Sequence, residues 1–276
     1  MKPLNSYNPG RAVGLFFRFL AQNTKIKLEY KVDSLIMFVS GAALQALGFM
    51  FLTVLFSRIP SIQGWTRWEI TWMLAMVFIT EGVVSFAFEG LWQMAFLVNT
   101  GDLDRMLLRP VSPILQILTY TMGVHGIGNI VLGAVLLALS TARVHVEWTL
   151  AKILFVPVFV VSACAIRTAV SFAANCSAFW LKAYFNAFPL MIYQLADFAK
   201  YPSFIFGRAV EALVFFVIPY AFISYVPAVW LFGKAAPGQF FWAPLAWAVP
   251  LVAIWCVILA RFVFYRSLTC YDGSGN

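Results

Sequence analysis

The feature that most constrains this chain is an unbroken run of 24 residues without a charged side chain, from Ser34 to Ser57. About 20 helical residues cross the hydrocarbon core of a bilayer, so this run is long enough to span a membrane. Across the 276 residues, 62% are apolar and only 11% are charged, whereas a soluble domain is about half apolar and about a quarter charged. These values exclude a soluble domain, a disordered chain and a fibrous repeat, and they predict an integral membrane protein.

Further apolar runs predict an all-α membrane protein with six transmembrane helices behind an N-terminal interfacial helix. Residues 1–31 are expected to form a cytoplasmic amphipathic helix, and residues 32–276 a single transmembrane domain. The first apolar run is expected to stay as a helix rather than be removed as a signal peptide, because a long basic tail precedes it. The expected spans are 32–56, 68–92, 113–141, 149–181, 184–202 and 242–265.

The stretch 205–233 leaves two topologies open. It has no charge from Ala212 to Gly233, which would make it a seventh span, but Pro219 and Pro227 are expected to cut it into short pieces. We favour a re-entrant extracytoplasmic segment between helices 5 and 6, packed against a partner subunit or roofing a pathway. Six spans place both termini in the cytoplasm, with eleven Lys and Arg residues on that side and seven outside, in line with the positive-inside rule.

The basic residues indicate a membrane surface rather than a nucleic acid. The net charge of +8 is concentrated at the ends of apolar runs, where anionic lipid and topology explain it. In the N-terminal tail, Arg11, Arg18 and Lys25 recur every seven residues and form a basic stripe on a helix with an apolar side. Such a helix lies flat on a bilayer. It either anchors the first span, which we favour, or acts as a lever that touches a cytoplasmic partner.

The loop 93–110, between the second and third spans, predicts a docking element. Asn99-Thr100-Gly101 is typical of a turn, and Asp102 is expected to cap a second short helix that Pro110 ends. A short amphipathic helix on a cytoplasmic loop suits docking in a groove of another protein. The alternative, that it lies on the bilayer, is disfavoured by its two acids. The residues expected at the docking site are Asn99, Gly101, Asp102, Leu103, Asp104, Arg105, Leu107, Arg109 and Pro110.

Three of the charged residues inside the predicted spans form a candidate cluster. Glu81 and Glu89 follow one face of the second span, and Arg167 lies in the fourth at a depth between them. Charged groups in a bilayer are costly and usually face the protein interior in pairs. These three either form an interhelical ion pair that fixes packing, which we favour, or line a transport pathway. Neither a metal-ligand spacing nor a catalytic arrangement is present in the sequence.

Several of these segments resemble the bacterial ABC-2 type permeases, the membrane subunits of ABC exporters, and most closely their short single-domain branch. The resemblance is carried by the loop sequence at 101–111, by 201–206, by 219–228 and by the tail from Tyr265, and it covers almost the whole chain. The tail departs from the family pattern at Thr269-Cys270, where more basic residues are expected. The resemblance assigns a re-entrant or gate role to Tyr201, Pro202, Phe206, Pro219 and Pro227.

The resemblance implies a type V exporter-like fold and a permease that pairs with an identical or related permease in the cytoplasmic (inner) membrane of a bacterium. It also implies that the loop at 95–109 docks a separate ATPase, which would hold ATP and Mg. The chain contains no Walker A motif of the form G-x-x-x-x-G-K-[ST]. This chain is therefore expected to be neither an enzyme nor a cofactor-binding subunit.

The same resemblance implies a substrate class, and two functions outside this family stay open as alternatives. The substrate is expected to be an amphipathic small molecule, a drug or a lipid, with membrane lipids as further partners and no nucleic acid. One alternative is an ATP-independent membrane transporter, although no clear inverted repeat is visible. The other is a membrane assembly factor without transport activity.

Overall fold

The computed structural model describes residues 9–181, 186–234 and 244–271. Within these ranges five helical segments are long and apolar enough to cross a membrane, because a helix rises about 1.5 Å per residue and a bilayer core is about 30 Å thick. They are Lys31–Arg58, Arg67–Thr100, His125–Arg143, Leu150–Leu181 and Leu245–Leu268. The chain is thus an all-α multi-pass membrane protein in its described part, and a sixth crossing stays a prediction.

Short turns join or extend the helices. In chain order the helices are α1 (Pro9–Glu29), α2 (Lys31–Arg58), α3 (Arg67–Phe88), α4 (Met94–Thr100), α5 (Asp102–Leu107), α6 (Pro113–Leu118), α7 (His125–Arg143), α8 (Leu150–Asn175), α9 (Ala178–Leu181), α10 (Ala187–Gln194), α11 (Arg208–Ala212), α12 (Tyr225–Phe232) and α13 (Val249–Leu268). The 3₁₀ turns are Glu89–Gln93, Leu195–Lys200, Ser203–Phe206, Tyr220–Phe222 and Pro244–Ala248, and Leu213–Val217 is a π-helical turn.

The centre of the molecule is α3. Its sequence is apolar on every side rather than along one stripe, a pattern that favours a fully buried helix. Every residue from Glu69 to Thr80 is buried, and α3 packs against α2, α7 and α8. By contrast, α2 and α13 expose much of their apolar surface, as Leu44 at 69% and Leu251 at 67% illustrate. Helices of this kind face lipid or another membrane subunit.

The backbones of α3 and α7 approach each other closely in the core, where two glycines face each other. A Cβ atom on Gly82 would lie 2.7 Å from the carbonyl oxygen of Gly126, and one on Gly126 would lie 2.5 Å from the carbonyl oxygen of Gly82. A Cβ on Gly128 would similarly lie 2.3 Å from the carbonyl oxygen of Phe38, on α2. Small residues at these positions let the helix backbones meet, which is a main source of packing energy between membrane helices.

The third predicted span, 113–141, needs a correction because the structure divides it into α6 and α7. Residues 119–124 between them are not α-helical. Two backbone groups of this break, which have no partner within a helix, form hydrogen bonds with α3 and α1. The N–H of Gly123 donates to the carbonyl of Ser85 at 2.9 Å, and the carbonyl of Thr119 accepts from Nδ2 of Asn23 at 2.7 Å. Non-helical backbone in a membrane protein is stable when protein groups satisfy it in this way.

The chain from Ala187 to Phe232 consists of short pieces, so the predicted span 184–202 is not one long helix. It begins outside the described residues and continues as α10 and the 3₁₀ turn after it. Pro219 lies between two such pieces as expected, but Pro227 does not cut the chain. It lies in the first turn of α12, where the missing N–H needs no partner. Whether 205–233 is re-entrant stays a prediction; Tyr220 and Tyr225 in it are fully buried.

We expect Gly126→Ala to destabilise the protein although alanine favours helices. The new methyl group would meet the backbone of α3, which cannot yield as a flexible side chain can, and such overpacking costs about 1–3 kcal/mol. The measurement is the apparent Tm in mild detergent. Gly14→Ala on α1 is the control, since nothing lies within 4 Å of a Cβ there, and its Tm should stay level or rise. Equal Tm values for both variants would contradict the close approach.

Candidate coupling loop and intramembrane charge cluster

Between α4 and α6 the chain forms a left-handed turn followed by α5. Gly101 has a φ of 77° and occupies the capping position of α5, a conformation that favours glycine. The prediction that Asp102 caps this helix is wrong, because Asp102 is its first residue. Its carboxylate instead lies 3.3 Å from the Thr100 hydroxyl, which donates to it, and 3.5 Å from Nη1 of Arg105.

The predicted docking residues divide into a buried and an exposed group. Leu103 and Met106 are 0% and 6% exposed, so this side of α5 packs in the chain's own core. Leu107 is 39% exposed and Leu108 is 87% exposed. Sequence reasoning missed Leu108 because it lies just after the last turn of α5 and outside the predicted apolar stripe. Of the other predicted docking residues, Arg105, Arg109 and Pro110 are exposed, whereas Asn99, Gly101, Asp102 and Asp104 are half-buried.

Another residue that sequence reasoning missed is Gln116, a buried amide at 6% exposure on α6. Its Nε2 donates to the carbonyl of Met106 at 2.9 Å and to the carbonyl of Val111 at 3.0 Å, and its Oε1 lies 3.5 Å from Nη1 of Arg109. One side chain therefore fastens the end of α5, the following loop and α6 together. The side chain of Asn99 bonds within its own helix, α4, since its Nδ2 donates to the carbonyl of Ala95 at 2.7 Å.

The N-terminal helix reaches the same region. Besides the Asn23 bond to Thr119, the hydroxyl of Thr24 lies 3.4 Å from the sulfur of Met122, and the ring of Phe16 lies 5.7 Å from that of Phe88. The basic stripe of α1 is exposed on the other side. The helix is thus attached directly to the break between α6 and α7, an arrangement compatible with both the anchor and the lever.

The intramembrane arginine lies beside one of the two predicted acids. Arg167 on α8 is 1% exposed, and its Nη2 lies 3.6 Å from Oε2 of Glu81 on α3. Its Cζ lies 4.8 Å from the ring centroid of Tyr193 on α10, so an aromatic face covers the rest of the guanidinium. The Nε and Nη1 atoms have no hydrogen-bond partner within the described ranges. Three helices therefore meet at this one cation.

The second acid, Glu89, lies apart from this pair. No ion pair involves it within residues 9–181, 186–234 and 244–271, and its buried Oε2 has no hydrogen-bond partner there. Next to Glu81 instead is a small cavity of about 140 Å³ between α2, α3 and α7. Asn129 contributes a buried Oδ1 atom that also has no partner in the described structure. The cavity is lined by Ser40, Gly41, Leu44, Gln45, Glu81, His125 and Asn129.

The predicted gate residues lie in and around the tightly packed segment after α10. Pro202, Pro219 and Pro227 are buried. The ring of Phe206 lies 4.7 Å from that of Phe198 and 6.4 Å from that of Tyr201. The hydroxyl of Ser224 donates to the carbonyl of Ala199 and joins this segment to the 3₁₀ turn after α10. The structure does not bring these residues to the α5 loop.

The far end of this segment is fastened to the start of α3. Lys234 follows α12, and its Nζ lies 2.7 Å from Oε2 of Glu69, which also accepts the N–H of Thr66 at 2.7 Å. Trp65 is 2% exposed and packs 5.9 Å from Tyr225. This end of α3 is opposite the α5 loop, so the two ends of the central helix are held by different elements.

Comparison with known families identifies the kind of protein in which the α5 loop and the Glu81–Arg167 pair occur. A family model described as "ABC-2 family transporter protein" matches residues 42–275. The chain belongs to this family. It is therefore a membrane permease of an ABC transporter, the type of subunit that associates with an ABC ATPase, and the resemblance noted in the sequence is confirmed. Neither the comparison with curated proteins nor that with solved structures gave a match.

We expect Arg167→Leu to destabilise the permease by leaving Glu81 without its cation; removing one partner of a buried pair costs about 3–5 kcal/mol. Replacing Glu81 by Leu in the same chain should restore part of the lost stability. The measurement is thermal unfolding in detergent of the two single variants and the double variant.

Glu89→Leu supplies the matched control for this double-mutant cycle. It removes an acid from the same helical segment, and combined with Arg167→Leu it should restore no stability. Full stability of Arg167→Leu alone, or equal rescue by the two acid substitutions, would contradict a specific Glu81–Arg167 pair.

Proposed function

We propose that this permease forms part of an ATP-driven exporter and docks a separate ATPase through the loop at 95–109. The observation that carries the proposal is Leu108, 87% exposed beside α5 on a loop whose opposite side is buried. An exposed leucine flanked by exposed Arg105 and Arg109 suits a groove that offers an apolar pocket and acidic groups. The buried Leu103 and Met106 give this surface a rigid base. ATP and Mg would be bound by the partner.

A route for mechanical coupling leads from this surface into the membrane. Movement of α5 would be passed to α6 through Gln116, because this α6 amide donates to the carbonyls of Met106 in α5 and Val111 in the following loop. From α6 the contacts continue to α1 through the Asn23–Thr119 bond and to the 3₁₀ turn that follows α3, since a Cβ on Gly90 would lie 2.0 Å from the carbonyl oxygen of Ile117. The ATPase would thereby act on the end of the central helix through α5 and α6.

The proposed topology places both termini in the cytoplasm, on the side of the ATPase. Because Asn23 bonds to Thr119 just after α6, α1 lies at the α5 end of the bundle. At the C-terminus, the ring of Tyr271 packs 5.9 Å from that of Phe179 on α9, and α9 contacts α4. The C-terminal part of α1 and the chain just after α13 therefore lie on the side of the docking loop. We place the protein in the cytoplasmic membrane of a bacterium, with 205–233 entering from the opposite side.

A second permease, identical or related, would complete the exporter. The apolar faces that α2 and α13 expose suit either lipid or such a partner. For the substrate we propose an amphipathic small molecule, drug or lipid. The support is the polar cavity beside Glu81, which lies next to the exposed Leu44 and so offers polar groups close to a lipid-facing surface.

The docking test is affinity purification of the tagged permease from native membranes in mild detergent, with co-purifying proteins identified by mass spectrometry. Wild type should retain a soluble protein with a Walker A motif. The variant Arg105→Glu with Leu108→Asp should lose it, because it reverses the charge and removes the apolar anchor. Arg58→Glu, at the exposed opposite end of α2, is the control and should retain the ATPase.

The same experiment separates the alternatives. A second membrane protein of similar length would identify a heterodimer, whereas its absence together with a dimer mass would identify a homodimer. Intact wild-type dimers without any ATPase would overturn the proposal and favour an ATP-independent transporter or an assembly factor. The direction is tested in inside-out vesicles, where ATP should drive a fluorescent phospholipid or another amphipathic probe into the lumen only if the complex is an exporter.

We expect Gln116→Leu to separate docking from transport. The side chain is similar in size, but it loses both donor bonds to the loop and leaves two carbonyls unpaired, so the ATPase should still bind while its activity no longer drives transport. The measurements are ATPase co-purification and ATP-dependent uptake of the probe by vesicles, with a loss in uptake of about tenfold or more. Unchanged uptake would contradict the coupling route but leave the docking surface intact.

A further inference from the structure

Two arginines meet at one aromatic ring at the end of the bundle opposite the α5 loop. Arg67 is the first residue of α3, and Arg143 is the last residue of α7. The Cζ of Arg67 lies 5.0 Å from the ring centroid of Trp68, and the Cζ of Arg143 lies 4.5 Å from the same centroid. Two positive charges thus lie against one indole ring, on two helices that pack against each other.

The charge of this pair is not compensated by the described part of the chain. Neither arginine forms an ion pair within residues 9–181, 186–234 and 244–271, and the neighbouring acid Glu69 is engaged by Lys234 and the N–H of Thr66. The Nη2 of Arg67 donates to the hydroxyl of Thr53 at 3.1 Å. Its Nε is buried without a hydrogen-bond partner. Two cations beside one ring repel each other, and an anion that binds both would relieve this repulsion.

The site lies at the depth of lipid headgroups. Thr53 precedes the end of α2 by five residues, which is about 7 Å along the helix axis, and Trp68 has the amphipathic ring that favours the membrane interface. On the membrane side, Val135 and Leu139 are 49% and 44% exposed. They precede Arg143 at intervals of four residues and therefore lie on the same side of α7. An anion bound here would have an apolar surface directly beneath it.

We propose that Arg67 and Arg143 bind the phosphate of an anionic phospholipid. Guanidinium groups bind phosphate oxygens through paired hydrogen bonds, and the exposed Arg143 and the half-buried Arg67 would supply such donors from two helices. The acyl chains would lie along the exposed stripe of α7. The apolar stripe favours a lipid over a soluble anion, because a soluble anion would contact only the two arginines. The site is independent of the proposed transport function, because it involves neither the docking loop nor Arg167.

The test is lipid binding by the purified full chain, measured by native mass spectrometry and by the rise in Tm on adding lipid. Phosphatidylglycerol should bind and raise the Tm, and phosphatidylcholine should do so much less. Arg67→Gln with Arg143→Gln should weaken phosphatidylglycerol binding by about tenfold or more, since hydrogen bonds to charged groups are lost. Arg58→Gln with Arg208→Gln is the matched control; it removes two exposed arginines and should bind like wild type.

Three outcomes of this lipid-binding test would overturn the proposal. Equal losses in the two double variants would mean that lipid responds only to overall charge. Equal stabilisation by glycerol phosphate and by phosphatidylglycerol would identify a site for soluble anions. Unchanged binding by Arg67→Gln with Arg143→Gln would exclude the site. If that double variant does not fold, Arg143→Gln alone serves in its place, because Arg143 is exposed, and it must still weaken phosphatidylglycerol binding by severalfold.

Discussion

The direct backbone contact between α3 and α7 determines the arrangement of most of this permease. Because Gly82 and Gly126 face each other without side chains, the two helices approach closely enough for the carbonyl of Ser85 to accept the N–H of Gly123. That bond gives the break before α7 a partner inside the protein, so a non-helical turn is stable where one long helix would otherwise continue. The break in turn leaves the carbonyl of Thr119 free for α1.

Because of this break, the end of the bundle that carries the α5 loop is a connected unit rather than a set of helix ends. Gln116 satisfies two backbone carbonyls of the α5 loop from a buried position, and buried carbonyls without such partners would be costly. The α5 loop, α6 and α1 are therefore fastened to one another before any of them meets another protein. A surface supported in this way transmits displacement, whereas a loop that rested on lipid would absorb it.

Features with long or repetitive signals could be predicted from the sequence, and features that depend on single hydrogen bonds could not. The run from Ser34 to Ser57 predicts α2, and helical rise predicts that Arg167 lies at a depth between Glu81 and Glu89, although not which of the two it pairs with. The split of the span 113–141 could not be predicted, because it depends on groups from α1 and α3 that are distant in sequence. Gln116 looks like any polar residue within an apolar run, and the exposure of Leu108 depends on where α5 ends.

The two acids of α3 form ion pairs with different elements of the structure. Glu69 at its start pairs with Lys234 after α12, and Glu81 further along lies beside Arg167 on α8. Against α7, by contrast, the contact is backbone on backbone. Ion pairs can separate and form again when a cation or water replaces the partner, whereas close backbone packing has no intermediate position. The contact between α3 and α7 therefore admits fewer alternative arrangements than the ion-paired contacts of α3 with α8 and with the segment after α12.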